Sequence, residues 1–275
     1  MTAPALSIRD VCKTYRGADH VEVRALSQCS IEVAPDEFLA VVGPSGCGKT
    51  TLLNIVAGFD DLTQGEVLLD GAVVASPGAP AKPGPERMVV FQHGGLFPWM
   101  TALENVCYGP VTQRQMRRQD AERLAIDLMA RVGLHDVRDL YPADMSSGMR
   151  RRVEIVRAII AQPRILLMDE PFRALDALTK VVVQNFLVQL HDAAPHTTFF
   201  ITHDLTEAIF LADKVAVMTT RPGHVKRLLT VPLARPRDNT MFETAEFLQL
   251  KREVTELVHA EAVAAFEMGE REAAR

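Results

Sequence analysis

Several features that mark whole classes of protein are scarce in this chain of 275 residues. Its four cysteines form no C-x-x-C pair and lack histidines at zinc-ligand spacing, which predicts reduced thiols and no metal cluster. No apolar run reaches the roughly 18 residues that span a bilayer. The N-terminus also lacks the basic region and apolar core of a signal peptide. We therefore expect the chain itself to stay in the cytoplasm.

Clustered positive charge is scarce too. The formal net charge is -5, and the Lys and Arg residues are dispersed apart from one short run at 150–152. A polyanion-binding surface normally needs a basic patch, so nucleic acid is not expected as a partner. Apolar residues, in contrast, make up 48% of the chain, enough to build a full globular core.

Five apolar runs predict the strands of a mostly parallel sheet: "EFLAVVG", "RMVVF", "RILLMDE", "TTFFITH" and "KVAVMTT". Helical segments separate them, which is typical of an α/β core. Asp70-Gly71 lies between two further apolar runs and predicts a β-hairpin, so part of the N-terminal region is antiparallel sheet. Residues 101–162, between the second and third runs, predict a helical subdomain.

The C-terminal region predicts one long helix over residues 243–272. Apolar side chains at Phe247, Leu250, Val254 and Leu257 are spaced alternately three and four apart. The next step falls on Glu261, so the stripe has to shift to continue; the shifted positions are Val258, Ala262 and Ala265. Such drift favours packing on the helix's own domain over pairing with another chain, although both remain open.

A phosphate-binding motif lies between the first apolar run and a helical segment. "GPSGCGKT", residues 43–50, fits G-x-x-x-x-G-K-[ST] in its required strand–loop–helix context. Glycines let backbone N–H groups wrap a phosphate, Lys49 adds positive charge, and Thr50 offers a hydroxyl to magnesium. The candidate nucleotide ligands are Gly43, Ser45, Gly46, Cys47, Gly48, Lys49, Thr50 and Thr51. The alternative is a glycine-rich turn without a ligand.

Cys47 lies inside this loop, at the N-terminus of the predicted helix. That position is expected to lower its thiol pKa and make it reactive. We therefore expect alkylation of Cys47 to stop ATP binding, and ATP to protect it.

Two acids end another predicted strand of the same sheet. Asp169 is expected to hold magnesium through water, and Glu170 to orient and deprotonate the attacking water. An apolar run followed by two acids is a weak signal alone, because many strands end in polar turns. Beside a phosphate loop the catalytic interpretation is much stronger.

These motifs together resemble one family, the ATP-binding subunits of ABC transporters. The match covers residues 6–222 in family order: the phosphate loop, "VVFQ", a Ser-Gly signature before a helix, "LLMDEP", "ALD" and "FFITHD". It implies an α/β P-loop NTPase core with an antiparallel β subdomain, an inserted helical subdomain and a C-terminal extension. It also implies ATP and Mg²⁺ as cofactors, and an ATPase coupled to transmembrane transport.

The resemblance assigns further roles residue by residue. Gln92 matches the glutamine that senses magnesium and the attacking water, and His203 the histidine that contacts the terminal phosphate and supports the base. Tyr15 lies where the family stacks an aromatic ring on adenine; ordinary packing is the alternative. Asp176 matches the aspartate of the loop linking two ATP sites, and an N-cap role is compatible with it. Asp204, with Glu207, fits a capping pair.

Within the family, the motifs resemble importers for nitrate, taurine and other small anions. The implied assembly is a head-to-tail homodimer beneath two membrane permease subunits, fed by a solute-binding protein, at the cytoplasmic face of the membrane. Phe97, Pro98 and Trp99 follow Gln92, where such subunits contact the permease; burial in the helical subdomain is the alternative. The implied domains are 1–92 with 163–222 as the core, 93–162 as the helical subdomain, and 223–275 as the extension.

Two positions depart from the family pattern. In the signature, Ser146 and Gly148 are kept, but Ser147 replaces the first glycine. A serine costs about 1–2 kcal/mol if the position needs a positive φ, and little if it is helical, where its hydroxyl could cap the helix. Arg173 replaces a small residue near the seam of the implied dimer. Its cation could repel, pair with an acid across the seam or point to solvent, and we expect it to point to solvent. The competing functions are a soluble ABC ATPase of DNA repair or translation, and a degenerate partner that binds nucleotide without hydrolysis.

Overall fold

The computed structural model describes residues 3–16, 22–173 and 175–273, with side chains up to residue 267. The strands are β1 (Leu6–Arg16), β2 (Glu22–Val33), β3 (Phe38–Val42), β4 (Gln64–Leu69), β5 (Ala72–Ala75), β6 (Arg87–Val90), β7 (Ile165–Asp169), β8 (Thr198–Ile201), β9 (Lys214–Met218) and β10 (Val225–Thr230). The helices are α1 (Lys49–Ala57), α2 (Ala102–Thr112), α3 (Arg118–Arg131), α4 (Ser147–Ile159), α5 (Ala177–Ala193), α6 (Leu205–Leu211) and α7 (Ala245–Ala273).

The larger sheet has the order β10-β9-β3-β8-β7-β6 in the described part of the chain. Neighbours from β9 to β6 pair in parallel, and β10 adds an antiparallel edge strand. Every residue of β3 and of β7 is buried, as expected for strands covered on both faces. All five predicted strands are therefore confirmed, and their carboxyl ends meet at one edge, where α/β proteins bind ligands.

The smaller sheet is antiparallel, with the order β2-β1-β4-β5. Asp70 and Gly71 join β4 to β5 with φ of 49° and 81°. Positive φ at both central residues is the requirement of a type I′ turn, which matches the twist of a two-residue hairpin. The predicted hairpin is confirmed, and so is the α/β fold class with its antiparallel part.

Residues 101–162 contain α2, α3 and α4, as predicted. A capping box starts α2: the Thr101 hydroxyl accepts from Glu104 N, and the Glu104 carboxylate accepts from Thr101 N. Val106 of α2 and Val153 of α4 lie in the same buried core as the parallel sheet. Among the described helices, none combines the length and hydropathy needed to span a membrane.

The first half of α7 packs on its own chain. Phe247, Leu250 and Val254 are buried in the core, and the helix contacts α6 and β9. The predicted shift of the stripe is confirmed at Val258, which packs against the core, and wrong at Ala262, which is exposed. Glu261 itself faces inward, with its side chain only 12% exposed. Its carboxylate accepts hydrogen bonds from Thr220 N and Lys226 Nζ, so a polar contact continues the inward face of the helix. Pairing with another chain remains open for the more exposed distal half.

Replacement of Phe247 by alanine tests how firmly α7 is attached. Phe247 is 1% exposed and packs edge-on against the Phe242 ring at 5.2 Å. We expect Phe247→Ala to lower the free energy of unfolding by about 3–5 kcal/mol, because it leaves a cavity. Phe266, on the same helix, is 68% exposed. Phe266→Ala should change stability by less than about 0.5 kcal/mol in urea titrations followed by circular dichroism; equal losses would contradict this packing.

Candidate active site

The phosphate loop connects β3 to α1 at the carboxyl edge of the parallel sheet. Gly46 and Gly48 have φ of 77° and 95°, a left-handed conformation that favours glycine. A Cβ at Gly48 would also lie 2.6 Å from Leu26 Cδ2 and 3.0 Å from the carbonyl oxygen of Ala25. The backbone path therefore requires both Gly46 and Gly48, and close packing requires Gly48 as well.

Lys49 folds back into this loop and brings the positive charge to it. Its Nζ donates to the carbonyl oxygens of Gly43 at 2.8 Å and Pro44 at 2.9 Å, and the residue is 7% exposed. The remaining partner found among the described residues is the Cys47 sulfur at 3.6 Å, so no carboxylate there forms an ion pair with the ammonium group, and the charge of Asp169 acts on it only from beyond ion-pair distance. A buried cation without a paired counter-charge is costly. A phosphate group therefore fits the loop chemically.

The next helical position supplies an oxygen beside a carboxylate. Thr50 Oγ1 donates to Asp169 Oδ1 at 3.4 Å, which joins the start of α1 to the end of β7. Burial raises the pKa of Asp169, while the hydrogen bond from Thr50 lowers it and the nearby Glu170 raises it. Hydroxyl and carboxylate oxygens are the ligands that Mg²⁺ prefers, so this pair fits the predicted metal site.

Three side chains converge on one carboxylate oxygen. Glu170 Oε2 accepts from Gln92 Nε2 at 3.5 Å and from Arg173 Nη1 at 3.1 Å, and His203 Nδ1 lies 3.4 Å from it. Gln92, Glu170 and His203 follow β6, β7 and β8, which are neighbours in the sheet. The register of adjacent parallel strands thus brings together the three residues predicted as catalytic.

The signature residues lie at the start of α4. Ser146 is the N-cap, and its hydroxyl accepts from Met149 N at 3.2 Å. Ser147 is the first helical residue, so it has no positive φ, and the prediction that it could cap the helix is wrong. Gly148 packs against α5, where a Cβ would lie 2.2 Å from Thr179 Cγ2. Gly148, the second glycine of the signature, is needed for close packing. A glycine is not needed at the first position, where this chain has Ser147.

Asp176 caps the neighbouring helix α5. Its Oδ1 accepts from Thr179 N at 3.0 Å, and hydrogen bonds to Thr179 hold the pKa of this carboxyl below its usual range. The capping role compatible with its family role is therefore present. The preceding alanine of the "ALD" motif, residue 174, lies outside the described residues.

A family model described as "ABC transporter" matches residues 26–173. The chain belongs to the ABC transporter family. As a member it is an ATP-binding cassette that hydrolyses ATP, which confirms the resemblance and the enzyme class predicted from the sequence.

Three relatives match most of the cassette. It is 43% identical over 241 residues to an uncharacterised ABC transporter ATP-binding protein of Methanocaldococcus jannaschii, covering 88% of this chain and 86% of that one. It is 42% identical over 254 residues to the bicarbonate transport ATP-binding protein CmpD of Synechocystis, covering 91% and 87%. It is 39% identical over 243 residues to the taurine import ATP-binding protein TauB of Rhizobium johnstonii, covering 86% and 90%.

The cassette is also similar to a solved structure of an ATP-binding cassette, a dimer in a post-hydrolysis state with ADP and Pi. The TM-score is 0.70 at 27% sequence identity, over 83% of this chain and all of that one. This similarity confirms the predicted ABC ATPase fold.

The prediction that Arg173 points to solvent is only partly right. It is 60% exposed, but its guanidinium pairs with Glu170 of its own chain, three residues earlier. The turn that follows Glu170, with Glu170 itself at φ 43°, brings the two side chains together. The departure from the family pattern therefore places a cation on the candidate base.

The prediction of a reactive Cys47 is wrong. The thiol is 1% exposed, and burial raises its pKa even though the charge of Lys49 acts in the other direction. The side chain lies in the same buried core as Leu26 and Leu52. Position at a helix N-terminus is not sufficient when the side chain is shielded from solvent.

Tyr15 lies at the end of β1 with its ring 40% exposed. Its hydroxyl donates to Asp60 Oδ2 at 2.5 Å and lies 3.5 Å from Thr51 Oγ1, and the Lys13 ammonium lies 4.7 Å from the ring centroid. These contacts connect the ring to Thr51, the third residue of α1. Adenine stacking stays a prediction, and the residues that follow, 17–21, lie outside the described part of the chain.

The basic run at 150–152 is partly buried. Arg150 and Arg152 are half-buried, and Arg151 is 5% exposed. Arg151 donates to the carbonyl oxygens of Phe91 and Gln92 and pairs with Glu154, while burial lowers its pKa. It therefore fastens the signature helix to the segment that carries Gln92. The R-x-x-E spacing on a predicted helix is the signal that could have indicated it.

Asp204 and Glu207 only partly form the predicted capping pair. Asp204 Oδ1 accepts from the N–H groups of Thr206 and Glu207 and so caps α6. The Glu207 carboxylate does not reach back. It is buried and bonds Thr202, Gln184 and Lys180 instead, and burial raises its pKa.

Removal of the Arg173 cation should raise ATP turnover. Arg173→Ala frees Glu170 Oε2 from a charged partner, and exposed ion pairs contribute about 0–1 kcal/mol, so we expect up to about a fivefold increase in kcat. Arg173→Lys keeps a cation and serves as the control, with turnover close to that of the unmodified chain. Steady-state phosphate release measures both; a loss of turnover in Arg173→Ala would instead make the arginine a support of the base.

A side chain at Gly148 should be costly, whereas one at Ser147 is already tolerated. Gly148→Ala should lower the free energy of unfolding by about 1–3 kcal/mol, because its methyl group overlaps Thr179 Cγ2. Thr179→Ser removes that methyl and should restore most of the loss in the double variant. Ser147→Ala should change stability by less than about 0.5 kcal/mol. Urea unfolding compares Gly148→Ala, the double variant, Ser147→Ala and the unmodified chain. A double variant as unstable as Gly148→Ala would contradict this contact.

Proposed function

We propose that this cassette powers an importer for a small anion, with Glu170 as the base that activates water. The observation that carries the proposal is the convergence of Gln92 and His203 on Glu170, beside a phosphate loop whose buried lysine forms no ion pair with a described residue. Motif order alone names the family, whereas this geometry supports a working hydrolytic centre.

The proposed roles follow from the contacts. Lys49 leaves the carbonyl oxygens of Gly43 and Pro44 and donates to the terminal phosphates, together with N–H groups of the loop. Magnesium, when bound, neutralises phosphate charge, and Thr50 and Asp169 are the residues that would hold it, with Gln92 nearby. Tyr15 is the proposed surface for the adenine.

Hydrolysis then needs one proton transfer. Glu170 accepts a proton from water while the water oxygen bonds to the terminal phosphorus, and the bond from that phosphorus to the bridging oxygen breaks to release ADP and phosphate. Gln92 and His203, each within 3.5 Å of the carboxylate, orient it and the water. General-base assistance of this kind contributes about 10²- to 10⁴-fold.

We propose that a second copy completes the site in a head-to-tail homodimer. Ser146 and Ser147 are exposed at the positive end of α4, and Asp176 is exposed at the start of α5. A helix N-terminus with a serine cap suits contact with a phosphate held by another chain. The related cassette of solved structure is dimeric, which supports the same arrangement here.

The proposed permease contact lies next to Gln92. Trp99 is 69% exposed and stacks on Phe97 at 5.5 Å, and Pro98 between them is exposed as well. A groove of about 540 Å³ opens beside Trp99 and is lined by Met100, Tyr108 and other residues of α2 and α3. An exposed tryptophan that stacks on a half-buried phenylalanine beside a groove is typical of a protein interface. The peripheral position at the cytoplasmic face of the membrane and the domain boundaries given above belong to this proposal.

The transported solute is proposed as a small anion such as taurine, an alkanesulfonate, nitrate or bicarbonate. Relatives at about 40% identity named for bicarbonate transport and taurine import support this class. In this scheme the permease and the solute-binding protein make the choice among these anions, because they contact the solute and the cassette does not.

The Arg173–Glu170 ion pair favours a second candidate, a nucleotide-binding partner with little hydrolysis of its own. ATP turnover across a range of protein concentrations, with and without membranes that contain the permease, separates the two. The first proposal predicts turnover that rises faster than linearly with protein, because two copies form each site. Lys49→Ala should lose both nucleotide binding and turnover. Tight ATP binding without turnover, even with permease present, would favour the second candidate.

A further inference from the structure

The distal half of α7 contacts a turn that touches the phosphate loop. This turn, residues 219–224, connects β9 to β10 and is closed by two hydrogen bonds: Thr219 N donates to the His224 carbonyl oxygen at 2.9 Å, and His224 N donates to Thr219 Oγ1 at 3.0 Å. It is therefore a defined unit that can transmit a displacement from one side to the other.

One side of the turn lies against the phosphate loop. Arg221 Nε donates to the Gly46 carbonyl oxygen at 3.3 Å, and a Cβ on Gly46 would meet Arg221 Nη2 at 3.2 Å. Gly223 packs so closely that an added Cβ would lie 1.9 Å from the Cys47 carbonyl oxygen. Two consecutive residues of the loop are thus in contact with the turn.

The other side of the turn is held by the C-terminal helix. Glu261 Oε2 accepts from Thr220 N at 2.9 Å, and Glu261 Oε1 accepts from Lys226 Nζ at 2.6 Å. The carboxylate is 12% exposed, and the charge of Lys226 helps to hold its pKa below the usual range against the opposing effect of burial. Without it, a backbone N–H and an ammonium group would both lose their partner.

We propose that Glu261 is a positioning residue for the phosphate loop: it fixes the 219–224 turn, and Arg221 of that turn fixes Gly46. The proposal rests on the phosphate site proposed above. Gly46 adopts a left-handed conformation, so its peptide orientation matters for the N–H groups that receive phosphate. The C-terminal helix would then set ATP affinity without touching the nucleotide.

The chain offers a matched control on the same helix. Glu253 of α7 pairs with Arg227 of β10, two elements that Glu261 also connects, but this pair is exposed and does not reach the turn. Glu253→Ala removes one ion pair between the same helix and strand. A general loosening of α7 should therefore be seen in both Glu253→Ala and Glu261→Ala, whereas an effect on the phosphate loop should be seen only in Glu261→Ala.

The experiment measures the Kd of a fluorescent ATP analogue, together with KM and kcat for ATP, on the full chain. Glu261→Ala and Arg221→Ala should each raise Kd and KM by about threefold to tenfold, with kcat unchanged, because coupling through such networks is of this size. The double variant should be no weaker than the single ones, since both act on one path. Glu261→Gln keeps the acceptor for Thr220 N and should bind as the unmodified chain does.

Three results would overturn the proposal: Glu261→Ala behaving like Glu253→Ala, effects that multiply in the double variant, or Glu261→Gln losing as much affinity as Glu261→Ala. Thermal melting checks folding, and the exposed Arg221→Ala carries the test if Glu261→Ala does not fold. Lys49→Ala in the same titration distinguishes failure of the proposed phosphate site from failure of the proposed role of α7. Retained binding there would refute the phosphate site itself, whereas lost binding with a silent Glu261→Ala would refute only the role of α7.

Discussion

The candidate active site depends on the alignment of the carboxyl ends of β6, β7 and β8. Because these strands are parallel neighbours in one sheet, the residues that follow them, Gln92, Glu170 and His203, meet at a single carboxylate oxygen. The same edge holds the phosphate loop after β3, where the buried Lys49 forms no ion pair with a described residue. Sheet register, rather than any one motif, therefore brings together the candidate base, the lysine and the proposed metal ligands.

Side chains from helices outside the sheet fix the irregular segments that follow its strands. Arg151 of the signature helix bonds the carbonyl oxygens of Phe91 and Gln92, so the helical region and the sheet edge are held together by a buried guanidinium. Glu261 holds the turn that contacts Gly46 in a similar way. Both contacts are charge-assisted hydrogen bonds to backbone groups, which fix position more than they add stability.

Much of this could be predicted from the sequence. Buried strands, the hairpin and the phosphate loop have strong local patterns, and family order supplied the candidate catalytic residues. The failures concern long side chains and burial. Arg173 pairs with Glu170 because the intervening turn brings them together, and Cys47 is buried in a core that includes Leu26, which is distant in sequence. Local spacing cannot indicate such contacts. The energetic cost of Ser147 could be decided only from the structure, because it depends on the backbone φ at that position.

The most direct test of the central claim separates binding from chemistry at Glu170. ATP affinity and ATP turnover are measured on one preparation of the Glu170→Gln variant and compared with the unmodified chain. If this carboxylate is the base, the variant keeps its affinity, since the phosphate loop is untouched, while turnover falls by about 10²- to 10⁴-fold. Turnover that persists would contradict the account, and so would affinity that is lost together with turnover.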